Sequence, residues 1–131
     1  MKKIYLLSLL AASLLVLAQH SDAQDKLTTK SVAKNQNYKV INTGEAILIY
    51  KYAHLYHSPK EAEKYTPTYF FVTSSSDELI PLTKMNLKKA FPTNHPFHDS
   101  LDANFKEDKE LINYDDFHKM YKINWLLKNH G

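Results

Sequence analysis

The chain has 131 residues and a formal net charge of +3, its basic residues are all lysine, and it contains no cysteine. These facts exclude disulfides, thiolate chemistry and bidentate guanidinium clamps on carboxylate or phosphate. So small a positive charge gives no electrostatic footprint for nucleic acid or anionic lipid.

The first 23 residues, MKKIYLLSLLAASLLVLAQHSDA, read as a cleavable secretory signal. Lys2 and Lys3 form a positive start, Ile4 to Leu17 an apolar run, and small residues follow. The cut is expected after Ala23, with Ala18 as an earlier site. The apolar run is about 14 residues, short of the ~20 needed to span a bilayer, so no stable membrane span is expected after cleavage. With no cysteine after the run, lipid attachment there is excluded, and the expected location is secreted or periplasmic. Cleavage leaves about 108 residues with a charge of about +2, the size of one ordinary domain.

Residues 24–37 are polar and lysine-rich without sustained periodicity, which predicts a flexible lead-in to a single domain over 38–131. Within that domain, YKVIN and the turn signal Thr43-Gly44-Glu45 precede AILIYKYAHLYH, whose alternation and β-branched and aromatic content predict a long strand. A helix starting after Gly44 is the competing reading of that run. The segment SPKEAEKYTP, with two prolines, predicts a loop. Thr68–Thr73 and Glu78–Leu82 then form a hairpin around the polar turn Ser74–Asp77. Because Pro81 has no N–H to donate, the return strand belongs at an edge or ends there.

Thr83 caps a short helix, KMNLKKAF, which Pro92 closes. Asn94 or His95 caps the next, with Pro96 in its first turn and Phe97, Leu101 and Phe105 spaced along one edge. The densest apolar periodicity lies in Asp108–Lys128, where Leu111, Tyr114, Phe117, Tyr121 and Trp125 recur every three or four residues. This predicts one long amphipathic helix, starting at Asp108 or at Asn113. So broad an apolar face needs a second layer. The expected fold class is therefore α+β, a small antiparallel sheet packed against C-terminal helices.

Three constellations bear on chemistry. His54 and His57 form one His-x-x-His pair, His95 and His98 another, and His118 follows Asp115 and Asp116. Imidazole and carboxylate suit zinc, which needs about four converging donors. Residues three apart on a strand face opposite ways, however, so His54 and His57 would share an ion only across a bend or a helix. Asp115, Asp116 and His118 also offer an acid–base pair, which on a helix is a surface pair. Ser74–Ser76 lacks the glycine-flanked elbow of a hydrolase nucleophile, and the two glycines, one of them terminal, make no phosphate-cradling loop.

The third constellation is aromatic: Tyr50, Tyr52, Tyr56, Tyr65, Tyr69, Phe70 and Phe71. Facing inward they are core, the reading favoured for most of them in a domain of this size. Facing outward they form a surface suited to a protein or glycan partner. Trp125 beside Leu126 and Leu127 also admits a membrane-surface helix, but the mixed charge signs around it weigh against that.

Taken together, the signal ending near Ala23-Gln24, the run from Tyr69-Phe70-Phe71-Val72 to Leu79-Ile80-Pro81-Leu82-Thr83, the NLKKAFP helix over Asn86–Pro92 and the final Tyr121-Lys122-Ile123-Asn124 resemble small secreted proteins of Bacteroidota with no established function. The resemblance covers residues 38–128. It rests on apolar patterns and implies export and a single domain, with no catalytic residue, cofactor or activity to carry over. The sequence thus leads to an exported, non-catalytic binding or interaction module. Its alternative is a metal-binding protein or metal-dependent enzyme using His54, His57, His95, His98 and His118.

Overall fold

The structure is a computed structural model and describes residues 26–55, 58–62 and 67–130. The signal-like N-terminus, His57, Tyr56 and Tyr65 lie outside the described residues.

Strand β1 (Tyr38–Val40) pairs antiparallel with β2 (Leu48–Tyr52), β2 with β3 (Thr68–Val72), and β3 with β4 (Ile80–Pro81). The resulting sheet has the order β1-β2-β3-β4. Because side chains alternate along a strand, this register turns Ile47, Ile49 and Phe71 to one face and Leu48, Tyr50, Phe70 and Val72 to the other. Pro81 lies on an edge strand, as its missing N–H requires.

The helices cover the first face. Thr83 caps α3 (Lys84–Ala90) by accepting from Asn86 N–H at 3.1 Å, and Asn94 caps α4 (His95–Asn104) by accepting from Phe97 N–H at 3.2 Å. The last helix, α5 (Lys122–His130), packs on α4. Phe97, Leu101 and Phe105 from α4 and its end, Ile123 and Leu126 from α5, Leu87 from α3 and Leu111 join Ile47, Ile49 and Phe71 in one buried core. Each such side chain contributes ~1.5–3 kcal/mol by leaving water. This is a single α+β domain with an antiparallel sheet against C-terminal helices, as the sequence predicts.

The long terminal helix does not form. Asp108–Lys128 is divided into a 3-10 turn (Asp108–Ile112), a two-stranded hairpin of β5 (Tyr114–Asp115) and β6 (Met120–Tyr121), and only then α5. Of the expected apolar stripe, Leu111 is core and Tyr121 and Trp125 pack against it, but Tyr114 is 48% exposed and Phe117 88% exposed. The cause is local. The Asp115 carboxylate captures backbone N–H groups that a helix would use, and such side-chain bonds compete directly with helical pairing.

Two segments read as irregular carry short helices. In the stretch expected to be a flexible lead-in, Thr28 and Ser31 form a reciprocal capping box on α1 (Thr29–Val32). Thr28 also bridges to Glu78, and Val32 is buried against Val72 and Leu79. This segment therefore roofs part of the sheet's second face. In the expected loop after residue 57, α2 (Pro59–Ala62) starts with proline at its first position, and Ser58 accepts Glu61 N–H through its carbonyl at 3.1 Å. The strand expected over 46–57 ends at Tyr52.

No helix among the described residues is long and apolar enough to cross a membrane.

Candidate functional site

The β5–β6 hairpin is a surface feature held by both side-chain and backbone hydrogen bonds. Asp115 Oδ1 accepts from both Phe117 N–H and His118 N–H at 3.0 Å, and Lys119 takes the left-handed conformation with φ 55°. Together they close the four-residue turn between Asp115 and its partner Met120. At the base, Asn113 accepts Lys122 N–H at 2.9 Å, and Glu45 Oε1 accepts Tyr121 N–H at 3.1 Å. The base is thereby tied to the loop before β2, and the tip to β5 through Asp115.

The second Asp115 oxygen meets His118 Nδ1 at 2.6 Å. This contact, reinforced by the His118 N–H, holds the Asp115 carboxyl below the usual range. The imidazole lies over Trp125 with ring centroids 4.4 Å apart and planes at 32°, and Phe117 meets it edge-on at 4.9 Å. His130 touches Trp125 at 6.4 Å. Phe117, His118, Trp125 and His130 thus form a row of four rings from the hairpin tip onto α5, with Phe117 outermost. Tyr114 and Tyr121 pack together at 5.2 Å. Burial raises the Tyr121 phenol above its ordinary range, with Tyr69, Glu45 and Tyr114 adding to the effect.

Asp115 and His118 form the pair foreseen from their spacing, on a turn rather than a helix. Among the described residues, the grooves of about 590, 330 and 210 Å³ are lined by residues other than these two. The groove of about 590 Å³ is apolar, its lining including Tyr69, Pro81, Leu82 and Ile112, with Asp108 and Lys109 beside them.

The other candidate histidines are distributed over the fold. His54 follows β2, where its ring contacts Tyr52 at 5.0 Å and its Nε2 lies 3.0 Å from Thr68 Oγ1. His95 and His98 sit on the first turns of α4 with centroids 5.6 Å apart, and His98 Nε2–H donates to the Phe91 carbonyl at 2.7 Å. His57 lies outside the described residues. Among those described, no group of three or more histidine, aspartate or glutamate side chains is placed to hold a metal ion.

The aromatic residues of the middle strands divide between the two faces. Phe71 is core and Tyr69 packs against it, whereas Tyr50 and Phe70 belong to the smaller cluster with Val32, Val72 and Leu79. Tyr38 contacts Tyr52 at 4.8 Å and Phe70 at 5.9 Å, making a half-buried aromatic cluster on the outer face. Sequence reasoning assigned Phe117 to a buried stripe and so missed the ring row, whereas Trp125 does pack against the core as that stripe requires. The signal was present in Asp115, an aspartate placed to bond the N–H groups two and three residues ahead of it.

Comparison with protein families, with curated proteins and with solved structures finds no match for this chain.

Proposed function

We propose that the protein is an exported, non-catalytic interaction module that contacts a protein partner through the tip of the β5–β6 hairpin. The observation that carries this reading is Phe117, a large apolar side chain left 88% exposed on a turn that two hydrogen bonds to Asp115 hold in place. A single exposed phenylalanine on a mobile loop would mean little. On a fixed turn, beside half-exposed rings, it offers apolar area whose conformational entropy has already been lost, which lowers the cost of association. A protein surface with an apolar pocket is the matching chemistry, because aromatic anchors seated in such pockets supply much of the energy of protein interfaces.

Export is proposed from Lys2, Lys3 and the apolar run behind them. Fractionation followed by N-terminal sequencing tests it: a mature chain beginning at Gln24 or Gln19 supports export, and a full-length chain retained in the cytoplasm refutes it. The contact surface is tested by placing a photo-crosslinking phenylalanine analogue at position 117 and, as a control, at Leu55, which is 78% exposed elsewhere. A discrete protein adduct from 117 alone, competed by the unmodified protein but not by Phe117→Ala, supports the reading. Identical adducts from both positions, or equal competition by Phe117→Ala, refute it.

A further inference from the structure

We propose that His118 is a proton-controlled latch: in its charged form it clamps the Phe117-bearing turn onto α5, gripping Asp115 on one side and the face of Trp125 on the other, and loss of the proton loosens the turn. The geometry supplies both grips. Nδ1–H points to Asp115 Oδ2 at 2.6 Å, a bond that either protonation state of the ring makes. The added proton resides on Nε2. It turns that bond into an ion pair and places a cation over the indole at 4.4 Å, where the ring quadrupole attracts it. The imidazole side chain is 32% exposed and Asp115 21%, so bulk water reaches the site but does not surround it.

The charged and titratable groups around the ring are few. On the hairpin they are Asp115 itself and the neighbouring Asp116 and Lys119. On α5 they are Lys128, one turn beyond Trp125, and His130 against the indole, while Lys122, one turn before Trp125, carries its ammonium over the Phe105 ring at 5.8 Å. Among the described residues Asp115 is the only carboxylate within 4.0 Å of a His118 nitrogen. The latch exchanges its proton with bulk water, which reaches the imidazole at the surface. Its regulatory meaning rests on the reading of the hairpin tip as the contact surface, whereas the latch itself is measurable without a partner.

Trp125 is the only tryptophan in the chain and reports the stack directly. Its emission is followed from pH 5 to 8.5 in the wild type, His118→Gln and His130→Gln. Amide exchange at Phe117, corrected for its intrinsic pH dependence, is measured alongside. The latch requires one emission transition that disappears in His118→Gln and survives in His130→Gln. It also requires Phe117 exchange roughly two- to fivefold faster at the alkaline end, the range a surface cation–π contact supports. No transition in the wild type, one that persists in His118→Gln, or one that vanishes in His130→Gln overturns it. Crosslinking from position 117 at pH 5.5 and 8.5 separates the two proposals. No adduct at either pH refutes the contact surface and leaves the emission data to decide the latch. Equal adducts at both pH values, with the transition present, refute only the regulation.

Discussion

The side-chain amide of Asn124 pairs with the backbone of Ile47 as a neighbouring strand would. Its Oδ1 accepts Ile47 N–H at 2.7 Å and its Nδ2 donates to the Ile47 carbonyl at 2.9 Å. Asn42 acts in parallel, donating to the same carbonyl at 2.7 Å and accepting Ile49 N–H at 2.6 Å. Glu45 joins them, accepting from Asn42, from Asn124 at 3.0 Å and from Tyr121 N–H. Two buried asparagines and one carboxylate therefore fasten the entry to β2 onto the hairpin base and α5. Every buried side-chain polar atom among the described residues has a partner.

Asn124→Ala should then be among the most damaging polar substitutions. It strands a buried N–H and part of a buried carbonyl's bonding, at ~1–3 kcal/mol for each unsatisfied group. A loss of ~2–4 kcal/mol is expected in urea unfolding followed by Trp125 emission. A loss under ~0.5 kcal/mol would show that water replaces the amide without penalty.

The division of the terminal segment into hairpin and helix is testable by a pair of phenylalanines. Phe97 is fully buried, so Phe97→Ala should cost ~3–5 kcal/mol. Phe117→Ala should change stability by less than ~0.5 kcal/mol. If Phe117→Ala were as costly as Phe97→Ala, position 117 would lie in the core and the long terminal helix would be restored.

Lys119 holds a positive φ of 55°, a conformation that costs a residue with a Cβ roughly 1–2 kcal/mol. Glycine avoids that cost but loses more freedom on folding, by roughly 0.5–1 kcal/mol. Lys119→Gly should therefore stabilise by ~0.5 kcal/mol, and Lys119→Val should destabilise, both read from thermal midpoints.

Acid should weaken the protein in a defined direction. Asp102 is held below the usual carboxyl range chiefly by Lys88, Glu110 by the backbone N–H of Glu107 and then of Lys106, and Asp115 by His118. A carboxyl lowered on folding contributes stability above its ordinary value, roughly pH 3.9–4.3. That contribution is lost as pH falls through the folded value, because the unfolded chain then binds more protons. The urea midpoint should accordingly fall between pH 5 and 3, and Glu110→Gln should flatten that fall. An unchanged slope in Glu110→Gln would remove Glu110 from the account.

Thr83 accepts Asn86 N–H at the start of α3, so Thr83→Ala should cost ~1 kcal/mol and Thr83→Ser almost nothing. Equal costs for the two would assign the loss to the methyl group rather than the cap.

Much of the fold was written locally. The caps at Thr83 and Asn94, the buried row Phe97, Leu101 and Phe105, the hairpin from Thr68 to Leu82 and the edge position of Pro81 each depend on residues within a few positions of one another, so the sequence alone determined them. The fate of Asp108–Lys128 was different. A repeat of three to four apolar residues is necessary for an amphipathic helix but does not exclude competitors. Here one competitor was the Asp115 carboxylate, and the other was Glu45, which reaches Tyr121 N–H from 76 residues away. The same holds for α1, whose place depends on the bridge between Thr28 and Glu78. Tertiary structure alone decided that Glu45 holds the hairpin base and that His118 lies on Trp125. Spacing records which side chains share a face, but not which distant polar group will claim a backbone N–H.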